Sequence, residues 1–268
     1  MWSFWNENTR PDGRLFAQAR PTSVVTSLFQ HAAGSALVKQ GATKVAVATT
    51  IQIGQPGPES PELGDVFVTV EDTSSSNSHH DVLQARLQRI LEESLPPELG
   101  LWIGKANIRL VFTVMILQDA GNLFDAALFG CMAAWKDTSL PTMNELTEQD
   151  GTLFWKQAPK SSVRTSKSKD EECKMEIDEE NAGDETKSSD IRISLTMGVV
   201  VMKKKATFIV DPTIMEAKQL EGMITVILSL PNRSIQVEYA GARSLGATEL
   251  ALAAKMANGR ADELLQLL

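Results

Sequence analysis

The sequence predicts an α+β protein, and three observations carry that expectation. Short β-branched runs broken by Gly and Pro occur early in the chain and again after residue 190. Two segments between them repeat apolar residues at helical spacing. The resulting order is strands, helix, strand, helix, strands, helix, without βαβ alternation. With 268 residues and 43% apolar content the chain can furnish a core, which excludes disorder throughout.

Between Thr22 and Ile53 the turn-like pieces AAGSA and KQGATK divide a β-branched stretch into three short strands, a meander. Three prolines and three glycines between Gly54 and Gly64 make a loop, after which DVFVTVE at 65–71 alternates as a strand does. From Asp81 onward Leu83, Leu87, Ile90, Leu91 and Leu95 define a helix. Arg86, Arg89, Glu92 and Glu93 take its other faces, and Pro96 and Pro97 stop it. The apolar, β-branched run 108–117 reads as a central strand. A second helix follows through Leu123, Ala127, Leu128, Cys131, Ala134 and Trp135, its alanines small enough for close packing on a sheet, and ends by Pro141.

Residues 156–190 differ in kind: 7 basic and 10 acidic side chains, many Ser and Thr, and no aromatic. Such a segment buries too little apolar surface to offset its ordering entropy, so it reads as a disordered charged insertion in one domain formed by 1–155 and 191–268. Beyond it, 191–201, 206–210, 223–230 and 234–239 read as a second meander, with Lys203, Lys204 and Lys205 at its first turn. The tail 246–268 is helix-rich, with a break expected at Asn258 and Gly259. Edge strands and apolar helical faces left uncovered by this layout imply a chain that needs partners and self-associates when alone.

The 26 Lys and Arg against 34 Asp and Glu leave a net charge of −8, which excludes a free-standing basic wrapper of nucleic acid. RNA would have to be met through a local patch, or as one wall of an assembly. Cys131 and Cys173 are the only cysteines, so neither a disulfide framework nor a four-thiolate zinc site can be written. That usage suits a reducing compartment. The run 110–117 is far shorter than the roughly 20 residues a membrane-spanning helix needs, and MWSFWNENTR lacks the features of a signal peptide. A soluble intracellular protein without a membrane partner is expected.

Four pieces carry a family resemblance: RPDGR at 10–14, GSALVKQGATKVAVA at 34–48, GNLFDAALFGCMAAWKDTSLP at 121–141 and FIVDPTIMEA at 208–217. In this order and at these distances they resemble the ribonuclease PH family as found in exosome rings. Within it the chain looks like the catalytically inert branch of subunits numbered forty-two, forty-three and forty-five, nearest in overall look to forty-three. The resemblance implies a ribonuclease PH-like fold of two related halves. It also implies a hetero-hexameric ring of ribonuclease PH-like subunits, a cap of RNA-binding subunits, a separate hydrolytic nuclease, and RNA passing through the assembled channel. Nucleus, nucleolus and cytoplasm are the locations it implies, and no cofactor or metal.

Phosphorolysis needs a cradle for phosphate and carboxylates that place a metal or move a proton. Active relatives resemble DGGTRTA at a strand-to-helix turn; the aligned stretch here sets Leu123 and Phe124 where Thr and Arg would hold phosphate, with Asp125 beside them to repel it. Active relatives also resemble LDLDYVED. Aligning its middle Asp on Asp211 puts Ile209 and Met215 at the two acid positions. Glu216, one residue on, would point to the opposite face of an extended segment. Asp211 itself reads as a strand-end residue bonding nearby backbone amides. Arg86, Arg89, Lys105 and Arg109 are the candidate RNA contacts, because an Arg fork meets two phosphate oxygens at once; ordinary surface or subunit-contact charge is the plainer reading. His79 and His80 lack a third ligand at metal spacing, and Cys131 reads as a small core residue. Two functions from different classes therefore stand side by side. One is a non-catalytic ring subunit supporting 3′-to-5′ RNA processing; the other is an active phosphate-dependent 3′-to-5′ exoribonuclease. A free RNA-binding module is disfavoured by the charge.

Overall fold

The β-branched runs and tight Gly turns of the first third build a five-stranded sheet. In the computed structural model, which describes residues 10–54, 65–73, 80–95, 107–140, 146–149, 152–155, 190–202 and 205–268, β1 (Thr22–Thr26), β2 (Gly34–Gln40) and β3 (Thr43–Gly54) are successive antiparallel neighbours. Gly41 takes φ 59 in the β2–β3 turn, a conformation glycine adopts without steric cost. Next come β4 (Asp65–Asp72), helix α1 (His80–Ser94) and β5 (Asn107–Gln118). The sheet order is β1-β2-β3-β5-β4, and β4 runs parallel to β5. This corrects the expectation that βαβ alternation is absent. A helix between two neighbouring strands returns the chain to the starting end of the sheet, so β4-α1-β5 is one such unit.

Helix α2 (Leu123–Asp137) lies on the inner face of this sheet beside α1. Val38, Val47, Phe112 and Val114 pack there against Leu87, Ile90 and Leu91 of α1 and Ala126, Ala127 and Leu128 of α2. Cys131 is buried in the same core, and burial pushes its thiol up to about 12. Gly34 marks the closest strand–helix approach: a Cβ there would press on Thr138 Oγ1 and Ala134 O and lie 2.7 Å from Thr138 Cα. Gly34→Ala is therefore expected to cost about 1–3 kcal/mol through overpacking, read as a lowered thermal midpoint.

The second sheet contains β8 (Ile191–Met202), β9 (Lys205–Val210), β10 (Gly222–Leu230) and β11 (Ser234–Gly241) in the order β11-β10-β8-β9, all antiparallel. It is two hairpins joined through β8 and β10, not the expected meander. The reason lies after β9, where the short helix α3 (Ile214–Ala217) is followed by Glu221 N–H donating to Val199 O, which delivers β10 to the other edge of β8. Helix α4 (Ala247–Leu265) covers one face of this sheet, where Ala253 and Ala257 pack on Leu195, Met197, Val199, Ile224 and Val226. α2 meets β8 on the other face. The layers thus run sheet, α1 with α2, sheet, α4.

α4 is unbroken at Asn258 and Gly259, a second correction. Burial of Ala253, Ala257, Ala261 and Leu264 outweighs the roughly 1 kcal/mol that a helical Gly costs. A small hairpin of β6 (Leu146–Gln149) and β7 (Thr152–Trp155) had no counterpart in the sequence reading. Apart from Asp190, the 156–190 insertion lies outside the described residues, as do His79, Lys105, Cys173, Lys203 and Lys204. Among the described residues no helix is long and apolar enough to cross a membrane.

Candidate functional site

Two backbone turns meet where the halves of the chain join. The α2 entry turn carries Gly121 at φ 99 and Asn122 at φ 52, and the β9 exit carries Asp211 at φ 52. They pack main chain to main chain: a Cβ on Gly121 would lie 2.6 Å from Ile214 N and 2.8 Å from Pro212 O. Asp119 Oδ1 braces the first turn by accepting from Gly121 N–H at 2.8 Å.

An N-terminal arm, residues 10–20, wraps this junction with three arginines. Arg20 donates to the Asp211 carboxylate from its backbone N–H at 2.9 Å, from Nε at 2.7 Å and from Nη2 at 2.6 Å. The same guanidinium reaches Gly121 O at 2.8 Å and Thr43 Oγ1 at 3.2 Å, so it fastens both turns to β3. Arg10 forms a forked pair with Glu216 at 2.8 and 2.7 Å and donates to Val210 O at 2.7 Å. Arg14 adds a bond to Asp211 Oδ2 at 3.3 Å. Burial alone would push the Asp211 carboxyl up. The bonds and charge of Arg20, with Asn122, more than reverse this and hold it at about 2. Burial likewise opposes ionisation of Glu216, and its bonds from Arg10 and Thr213 leave its carboxyl below the usual range.

Each expected site position can now be placed. Ile209 is fully buried in β9, while Met215 is 70% exposed on α3, so the two aligned positions do not face one another. Glu216 is not in an extended segment. It is the third residue of a helical turn, closing a capping box with Thr213 and pairing with Arg10, which corrects the opposite-face expectation. Asp211 bonds the distant Arg20 rather than neighbouring amides, a further correction. Asp125 faces away from the turn into the second sheet, accepting from Ser194 Oγ, Thr196 N–H, Thr196 Oγ1 and Asn122 Nδ2. Burial pushes its carboxyl up, against the pull of those donors. It is a bonded core group and not a repulsive charge at a phosphate site.

Leu123 is half-buried, and Phe124 is buried with the Arg86 guanidinium 3.9 Å over its ring. Arg86 and Arg89 share Glu238 of β11, the former at 2.7 Å. Two of the four RNA candidates thus come together beside the α2 N-terminus, each already paired. Arg109 lies apart on β5, over the Phe67 ring at 4.7 Å and 3.3 Å from Asp65. His80 meets Asp72 at 3.2 Å, and among the described residues no three His, Cys, Asp or Glu gather as metal ligands. Sequence reasoning missed Arg20 and Asn122, the residues that organise the junction. Arg20 offered only an Arg before Pro21, a weak signal.

Residues 18–141 match the 3′ exoribonuclease family, domain 1. That stretch of the chain is similar to the ribonuclease PH family. Two relatives are the proteins named exosome complex component Rrp42 of Methanocella arvoryzae, 32% identical over 155 residues, and of Archaeoglobus fulgidus, 30% identical over 147. These matches take in 53% and 50% of this chain, and 59% and 57% of the relatives' length. Both carry the number forty-two, where the sequence reading leaned to forty-three. Among solved structures, an Archaeoglobus fulgidus exosome with RNA bound to the active site superposes with a TM-score of 0.71 at 21% identity, covering 98% of this chain and 94% of that one. Rice Rrp46 superposes with 0.66 at 17% identity, covering 95% of each chain. The ribonuclease PH-like fold therefore extends over both halves.

Proposed function

We propose that this chain is a non-catalytic subunit of an RNA exosome ring, supporting 3′-to-5′ RNA processing and decay by the complex, ribosomal RNA maturation and mRNA turnover included. The observation that carries the reading is the state of the α2 entry turn. Its phosphate-holding positions are the apolar Leu123 and Phe124, and the nearby carboxylates of Asp211 and Glu216 are saturated by Arg20 and Arg10. A phosphate anion would find neither a free cation there nor an acid free to move a proton. The relatives' name, exosome complex component, supports an assembly with other ribonuclease PH-like subunits as ring neighbours. The resemblance alone extends the proposal to RNA-binding cap subunits, a hydrolytic nuclease, RNA threading the channel, and a place in nucleus, nucleolus and cytoplasm. The domain consists of 1–155 and 191–268, with 156–190 as an insertion.

Native mass spectrometry of the protein from its own cell is expected to show a multi-subunit ring containing its paralogues. In a phosphate-dependent RNA-decay assay the purified chain is expected to release no nucleoside diphosphates. Release of diphosphates by the pure chain would favour the alternative, an active phosphorolytic exoribonuclease.

A further inference from the structure

The two large sheets end in four strand edges, β1 and β4, β11 and β9. An open edge is a row of unpaired backbone donors and acceptors; one of these is closed from within along its length, and another is bonded at its last residue. Along β4, the side chains of Gln84 and Gln88 on α1 bond Val70 N–H, Val68 N–H and Val66 O. Along β9, Val210 N–H donates to Phe16 O at 2.8 Å and Arg10 donates to Val210 O. β1 is five residues long and encumbered at both ends, by Arg260 on Thr22 Oγ1 and by Asp137 on Ser27. β11 is eight residues long, and no described residue bonds its outer backbone edge.

On its α1 side β11 carries Glu238, paired with Arg86 and Arg89, while its α4 side is apolar along the middle of the strand. Ile235 and Val237 are 43% and 41% exposed. Arg233 bonds Asn258 and Asp262 of α4, and Arg243 bonds Glu249, so the helix runs beside the strand and is fastened to it near both ends. Leu250, Ala254 and Asn258 lie on one line of the helix, and the Arg233–Asn258 bond turns that line towards β11. The result is a trough along an open strand edge, apolar in its middle and bounded by an ion pair at each end.

What fits this edge follows from its own sequence. Laid antiparallel on itself about Val237, β11 sets Gln236 opposite Glu238, Ile235 opposite Tyr239 and Ser234 opposite Ala240. An amide then meets a carboxylate, an aliphatic meets an aromatic, and no like charges face each other. We propose that the β11 edge is a docking surface for the same edge of a second copy of this chain. The two four-stranded sheets join across a two-fold axis, each copy offering the other the same patch. This goes beyond the ring reading, because it concerns the isolated chain.

Sedimentation of the purified full chain at micromolar concentration is expected to show a reversible dimer. Val237→Lys sets two ammonium groups against each other at the axis and should weaken the dimer by about tenfold or more, with the thermal midpoint unmoved because the site is exposed. Val237→Glu alone should do the same, and mixing the two variants should restore a mixed dimer. Phe67→Lys, exposed on the closed β4 edge, should leave the dimer intact. In the unmodified chain, amides of 234–241 should gain exchange protection as concentration rises. A wild-type monomer, or a dimer that Val237→Lys leaves unchanged, overturns the proposal. A chain that assembles into a ring in its cell yet stays monomeric alone would defeat this inference and leave the ring reading standing.

Discussion

Arg20→Met is expected to destabilise the fold by about 3–5 kcal/mol, seen as a large drop in the midpoint of chemical denaturation. The Asp211 carboxylate has no exposure to water and takes three of its hydrogen bonds from Arg20. Two of them vanish with the guanidinium, leaving a buried charge with only the longer Arg14 contact at 3.3 Å as counter-ion. The partners are far apart in sequence, so the same change also frees the N-terminal arm from Gly121 and loosens its hold on the β9 exit, which then rests on Arg10 and Arg14. Breaking the pair should hurt more than replacing it: Arg20→Met with Asp211→Leu is expected to recover part of the loss, since no charge is left stranded. Acid supplies an independent readout. The Asp211 carboxyl sits at about 2 against an ordinary 3.8, so its folded-state pKa is depressed. Its contribution is complete above about pH 4 and is lost as pH falls through 2, amounting to about 2 kcal/mol. The gap in stability between wild type and Arg20→Met should therefore narrow between pH 4 and 2. Equal midpoints at neutral pH would show that the cluster is not what joins the arm to the core.

That cluster also marks the limit of what a sequence read locally can disclose. β1 to β5, the spacing of α1 and the alanine-rich face of α2 are periodic within a dozen residues, and period is a local property. Asp211 reads from sequence as a strand-end residue bonding nearby amides, but its partner stands 191 residues away, and nothing near either residue announces the other. The parallel pairing of β4 and β5 is hidden in the same way, because direction is decided by how a crossover packs, not by the strands themselves. Gln84 and Gln88 look like solvated helix positions until β4 is laid beside them. At the candidate site, alignment with a family motif located Leu123, Phe124, Ile209 and Met215. It could not tell that Ile209 turns into the core while Met215 turns out to water, since β9 gives way to a helical turn between them.

Reinstating Thr and Arg at positions 123 and 124 is expected to give no measurable phosphorolysis and a less stable protein. Phe124 is 7% exposed and belongs to the main core, so removing its ring costs about 3 kcal/mol or more before any charge is buried. The new guanidinium would arrive beneath Arg86, which now stacks 3.9 Å over the ring, and would exchange a cation–π contact for like-charge repulsion. Nor would the acids follow. Ile209 is sealed in the sheet, and Asp211 is committed to Arg20 and Asn122, so no free carboxylate stands ready for a phosphate placed at the turn. Catalytic groups that act as a unit give little when restored singly, so a change confined to the phosphate positions leaves the acid function missing. Thermal unfolding of the double variant should show the stability loss, and product analysis with RNA and inorganic phosphate should show no nucleoside diphosphate above the unmodified chain. Turnover appearing in the variant would mean that Asp211 or Glu216 serves as an acid in spite of its arginine, and that the missing phosphate cradle alone silences this chain.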